Sequence, residues 1–134
     1  MKEGINLKLG AIVLDSGNSE ELSAFYEKLL GWTKHRYDEE WIIVSSGGGE
    51  GTPLVFQEVK NYERPVWPGV SGKQQQMLHL DFYVDDIEKG VRRALSCGAE
   101  LSKIQLEDGW RVLLDPAGHP FCILPNMPPV IAQP

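Results

Sequence analysis

Polar and apolar residues alternate from His79 onwards, with His79, Asp81 and Tyr83 on one side and Leu80, Phe82 and Val84 on the other. A period of two belongs to a β-strand, here with one apolar face and one polar face that can meet a ligand. The spacing then turns helical. Ile87, Val91, Ala94 and Leu95 fall on one face of a helix that Asp85 or Asp86 can cap, Asp85 having capping-box spacing with Glu88, and Gly98 ends it. The same order occurs earlier in the chain. A strand over 5–14 carries the apolar run Leu9 to Leu14, and a helix over 19–30 follows, with Asn18 and Glu21 as its start signal, Leu22, Phe25, Tyr26, Leu29 and Leu30 as its stripe, and Gly31 as its stop.

Each helix is followed by strands. In the first half these are predicted over 32–37, 40–45 and 53–59, with Asp38-Glu39-Glu40 as a hairpin turn. In the second half they are predicted over 100–106, 110–114 and 120–124, the last two joined by the turn Asp115-Pro116-Ala117-Gly118. Residues 40–44 match 109–114, which puts Trp41 and Trp110 in equivalent places, and 52–57 match 119–124. The order βαβββ is therefore read twice. Helices early in each unit with consecutive strands after them predict an α+β fold of two tandem βαβββ modules with curved, mainly antiparallel sheets. One domain is expected over 1–134, with copy one at 7–58, a connector at 59–77, copy two at 78–125 and a Pro-rich tail at 126–134. Trp67, between Pro65 and Pro68 in the connector, reads either as a pocket lid or as an anchor pinning the loop to the sheet.

Composition narrows the function. No run of eighteen apolar residues occurs and the N-terminus lacks a secretory pattern, so no membrane contact and a cytoplasmic location are expected. The net charge of −6, with scattered basic residues, argues against nucleic acid. Gly47 to Gly51 lacks the Lys-Ser/Thr of a phosphate-binding loop and reads as a hairpin loop. Cys97 and Cys122 are too few for a disulfide scaffold and are read as free thiols.

Phe25-Tyr26 followed by Leu30-Gly31, the strand from His79 to Asp86, Gly98-Ala99, and Asp115 to Gly118 followed by Phe121 to Leu124 together resemble the glyoxalase, bleomycin-resistance and extradiol-dioxygenase group, the vicinal oxygen chelate superfamily. The resemblance runs from about Leu9 to Leu124. It implies paired βαβββ units enclosing a cleft, usually in a homodimer, an expectation that exposed sheet edges also favour. In metal-dependent members, the ligands come from the first and last strands of each copy. His79 matches one such place, Cys122 stands where a Glu is usual, and the copy-one places fall near Ala11 and Val55, with Leu9, Gly10 and Gln57 as register alternatives. A catalytic metal needs about three protein ligands and an open position, so no metal of the superfamily type and no other cofactor is expected; His79 and Cys122 are the weak candidates.

His79 reads either as a strand histidine paired with Asp81 or as a pocket residue, His119 as a surface-loop residue, and His35 as an exposed strand residue. Cys122, between Phe121 and Ile123, reads as a small core hydrophobe. Two functions compete. The first is a binding module for a small aromatic or apolar ligand, with Trp41, Trp67, Trp110, Phe56 and Tyr83 as walls and His79, Asp81, Gln57, Cys122 and Arg111 as polar or lining groups, although at least one of Trp41 and Trp110 is as well explained by core packing. The alternative is a metal-dependent lyase, isomerase or dioxygenase using His79.

Overall fold

The computed structural model describes residues 4–38, 41–48 and 51–125. The turn at Glu39-Glu40 and part of the Gly47 to Gly51 loop lie outside the described residues, as does the tail from 126 on. The chain divides into two compact units, Met1–Val59 and Lys60–Pro134.

The first unit contains β1 (Ile12–Ser16), α1 (Ser19–Leu30), β2 (Thr33–Arg36), β3 (Trp41–Ser45) and β4 (Leu54–Glu58). Its sheet has the order β1-β4-β3-β2, with β1 parallel to β4 and the other pairs antiparallel. The start of α1 is fixed twice: Asn18 Oδ1 accepts the Glu21 N–H at 3.0 Å, and the Glu58 carboxylate accepts the Ser19 N–H at 3.1 Å. Both satisfy amide donors that a first turn leaves without helical partners. Gly31 closes the helix in the left-handed region, at φ 70°, where its missing side chain removes the steric cost. The apolar stripe of α1 packs on one face of the sheet, so that Leu22, Phe25 and Tyr26 are buried with Ile42, Val44, Leu54 and Phe56. Tyr26 and Phe56 stack with ring centroids 5.8 Å apart.

The second unit repeats this plan with β5 (Leu80–Val84), α2 (Ile87–Cys97), β6 (Glu100–Leu101), β7 (Arg111–Leu114) and β8 (Pro120–Pro125), in the order β5-β8-β7-β6. Again the first strand runs parallel to the last and the remaining pairs are antiparallel. Asp86, and not Asp85, caps α2, accepting the Lys89 N–H at 3.1 Å. The helix lies close to its sheet at Gly90, where a Cβ would meet Ile123 Cγ2 at 3.2 Å and both Val84 methyls at 3.3 Å. Val84 and Ile123 therefore mark the helix-covered face.

The clearest departures from the sequence reading are in two strands and in one helix face. The first strand begins at Ile12 and extends to Ser16, because its partner β4 starts only at Leu54; Leu7 and Leu9 have no ladder and are exposed. The strand predicted over 100–106 stops at Leu101. There the Gln105 side chain takes over the edge of β7, its amide donating to the Val112 carbonyl at 2.9 Å and to the Ser102 carbonyl at 2.8 Å while its oxygen accepts the Val112 N–H at 2.9 Å. The apolar stripe of α2 is also narrower than its spacing suggests: Ala94 is buried, but Leu95 is 41% exposed.

Candidate functional site

Matching ladder registers make the two copies comparable residue by residue. Ile12 pairs with Leu54 in the first unit as Leu80 pairs with Phe121 in the second. Ala11, Val13 and Val55 thus stand where His79, Asp81 and Cys122 stand in the second copy. Trp41 and Trp110 correspond likewise, since Ile42 opposes Phe56 and Arg111 opposes Ile123.

On the sheet face of the second unit away from α2, the polar positions of β5 meet β8. Asp81 and Cys122 are direct cross-strand partners, and His79 Nε2 lies 3.2 Å from Asp81 Oδ1. One donor atom from each of His79, Asp81 and Cys122 falls within 4.8 Å of the other two. His79 and Asp81 are about half exposed, whereas Cys122 is buried at 5% exposure. Burial pushes the Cys122 thiol up to about 11, and the adjoining Asp81 carboxylate adds to this by its charge and by accepting a hydrogen bond from the thiol. A thiol held protonated is a poor nucleophile, which removes Cys122 from consideration as a covalent catalyst in the metal-free protein. Tyr83, 39% exposed, continues the same strand face.

The open face of the first unit carries an apolar patch. Trp41, Ile43 and Val55 alternate with buried residues of β3 and β4, and with Tyr37 and Asp38 they line an open cavity of about 230 Å³. Asp38 Oδ1 accepts the Trp41 N–H at 2.9 Å, which ties the Asp38 side chain to the first residue of β3. Gln57 opposes Trp41 in the ladder and shares its face.

Other residues named from sequence lie elsewhere. Phe56 is fully buried on the helix side against Tyr26, because strand parity alternates it with Val55 and Gln57; it is a core residue and not a cleft wall. Arg111 opposes Ile123, on the face away from Cys122, and its guanidinium donates to the carbonyls of Glu107, Asp108 and Trp110, so it organises its own loop. Trp110 is half-buried just before β7. Trp67 is half-buried in a connector held by the Val66 N–H to the Gln74 carbonyl at 2.9 Å.

His119 is not a surface residue. Its side chain is 15% exposed, and Nδ1 lies 2.8 Å from the buried Asp115 Oδ2, whose partner oxygen accepts the Ala117 and His119 N–H groups. Tyr62 closes the turn by donating to the Ala117 carbonyl at 2.7 Å. Sequence reasoning passed over Tyr37, Asp38 and Ile43 as site residues; the parity of Ile43 with Trp41 was the available signal for one of them.

The chain belongs to the family of glyoxalase-like domains, whose model matches residues 11–124. Among solved structures, it is similar to a glyoxalase/bleomycin resistance protein/dioxygenase family enzyme from Burkholderia phytofirmans PsJN at 22% identity and a TM-score of 0.63, covering 87% of this chain and 97% of that one. It is also similar to the fosfomycin resistance proteins FosX of Listeria monocytogenes (12% identity, TM-score 0.64, 92% and 94% covered) and Mesorhizobium loti (12%, 0.62, 95% and 94%). No curated protein matches the chain.

This fold family implies a divalent metal in many members. A centre with ligands from both copies does not fit, because Ala11, Val13 and Val55 carry no donor atoms. A set drawn from the second copy alone does fit in donor chemistry: imidazole, carboxylate and thiol converge there.

Proposed function

We propose that the protein is a small-molecule-binding member of the glyoxalase-like family, holding an aromatic or apolar ligand without a metal shared between its two copies. The observation that carries this reading is the cavity of Tyr37, Trp41, Ile43 and Val55, an apolar wall on the helix-free sheet face, with the Asp38 carboxylate at its edge. Two aromatic rings supply flat, rigid surface at low entropic cost, and a carboxylate beside them favours a ligand with a cationic substituent. The missing donors at Ala11 and Val55 argue against a centre with ligands from both copies, the arrangement on which metal-assisted catalysis of the superfamily type depends. A thermal-shift screen of metal-free protein against aromatic drugs and α-keto-thiol adducts tests the reading. At least one aromatic compound should raise Tm, and Trp41→Ala should abolish the shift; a screen without any shift, or shifts that persist in Trp41→Ala, would refute it.

The cluster of His79, Asp81 and Cys122 favours a second reading, a metal-dependent lyase, isomerase or dioxygenase. In that case His79 and Asp81 would hold and orient the metal, the metal would supply Lewis-acid chemistry, and the buried surroundings of Cys122 would limit access of water. Metal content of protein purified without chelator, together with turnover of α-keto-thiol adducts, separates the two readings.

A further inference from the structure

We propose that the ligand of the first unit is an elongated dication, a flat aromatic body with an amidinium or primary ammonium group at each end, and that Asp15 and Gln57 recognise the end remote from Asp38. This names the ligand class for the cavity of Tyr37, Trp41, Ile43 and Val55, and it rests on that cavity being a binding site.

The strand ladders place the two residues. Asp15 of β1 pairs with Gln57 of β4, and Gln57 pairs with Trp41 of β3. The Tyr37 N–H donates to the Trp41 carbonyl at 3.0 Å, which carries the ladder one residue beyond β2. Side chains of directly paired residues leave a sheet on the same side, so one row crosses the open face from carboxylate to amide to indole to phenol. Asp38 follows Tyr37 and lines the cavity with it. Neighbouring strands lie about 4.8 Å apart, so the three steps from Asp15 to Tyr37 span roughly 14 Å. Two carboxylates therefore stand at opposite ends of an aromatic wall long enough for several linked rings.

Charge on this face is unbalanced. Lys34 and Arg36 alternate to the other side of β2, where they oppose the buried Val44 and Ile42 and pair with Glu20 of α1. Glu58 turns to that side as well and accepts the Ser19 N–H. Among the described residues of β1 to β4, His35, which opposes Ile43 in the next row, is the titratable group that shares the open face with Asp15. The side chains of Asp15, exposed, and Gln57, half-buried, have no hydrogen-bond or ion-pair partner among the described residues. A carboxylate accepts two parallel N–H groups of an amidinium in charge-assisted bonds of fixed geometry, and the neighbouring amide oxygen can accept another. Asp38, whose Oδ1 accepts the Trp41 N–H, supplies negative charge at the other end. Anionic aromatic ligands are repelled at both ends.

The probes are 4′,6-diamidino-2-phenylindole, a flat fluorescent diamidine, and its analogue without the phenyl amidinium, each titrated into metal-free protein and followed by fluorescence. The dication should bind about 3–10-fold more tightly than the monocation, as a partly exposed charge-assisted contact allows. That advantage should shrink as sodium chloride is added. Asp15→Asn should reduce the dication to the affinity of the monocation. Asp85→Asn, the same change of charge in the second unit, should leave the advantage in place. Both aspartates are exposed, so neither substitution disturbs the core, and circular dichroism checks each fold. Equal affinity of the two probes, or an advantage that survives in Asp15→Asn, would overturn the proposal; monocation binding that is lost in Trp41→Ala would then leave the cavity reading standing without it. Failure of both probes to bind would also overturn the dication, with the thermal-shift screen deciding the cavity reading on its own.

Discussion

Raising the pH of metal-free protein from 8 to 10 should destabilise it through Cys122. The thiol moves from 9.0 to about 11 on folding, so the native state favours its protonated form. This contribution is complete below pH 9. As pH rises, the unfolded chain ionises first, the folded chain keeps its proton, and stability is lost until both forms are charged above pH 11. One pH unit above the unfolded value, the difference amounts to roughly 1.4 kcal/mol, and over the full shift to roughly 2.7 kcal/mol. Urea denaturation of the wild type and of Cys122→Ala at both pH values isolates this contribution, since the tyrosines and lysines that titrate nearby are common to both proteins. Between pH 8 and 10 the wild type should lose about 1.4 kcal/mol more than the variant. Asp81→Asn, which removes the neighbouring charge, should reduce the loss, while leaving the part due to burial. Parallel losses in the wild type and Cys122→Ala would refute the placement of a buried thiol against the Asp81 carboxylate.

Asp115→Ala removes a buried carboxylate that accepts from two backbone amides and faces the His119 ring; it should cost about 3 kcal/mol or more in urea denaturation, and Asp115→Asn less, because its amide oxygen still accepts. Phe56→Ala should cost about 3–5 kcal/mol by the same measurement, as expected for a buried aromatic in a packed core, while its neighbour Gln57→Ala stays within about 0.5 kcal/mol.

Much of the fold was legible because local signals agreed with one another. Asn18 and Gly31 bound α1 as their spacing indicated, and the matched glycines and tryptophans correctly paired the two copies. Helix caps act within a few residues, so the sequence carries them directly. Strand ends depend on the partner. Leu9 looks like a strand residue, yet the ladder cannot reach it while β4 begins at Leu54, and Ile104 falls outside β6 because a side chain, Gln105, occupies the pairing groups. Strand parity likewise decided Phe56 and Arg111, whose residue types suggested a ligand wall and a positive anchor but whose positions turn them away from the open faces. The place of Asp81 was the least visible feature. It was named with His79 and Cys122 as a lining group, but the register that sets it directly against Cys122 exists only once β5 and β8 pair.

Calorimetric titration tests the central claim most directly, using the aromatic compound with the largest thermal shift against protein dialysed into EDTA and against protein given one equivalent of zinc. The account predicts binding of comparable affinity in both, and its loss in Trp41→Ala. Binding that requires the zinc, or that survives unchanged in Trp41→Ala, would contradict it and favour the metal-dependent reading.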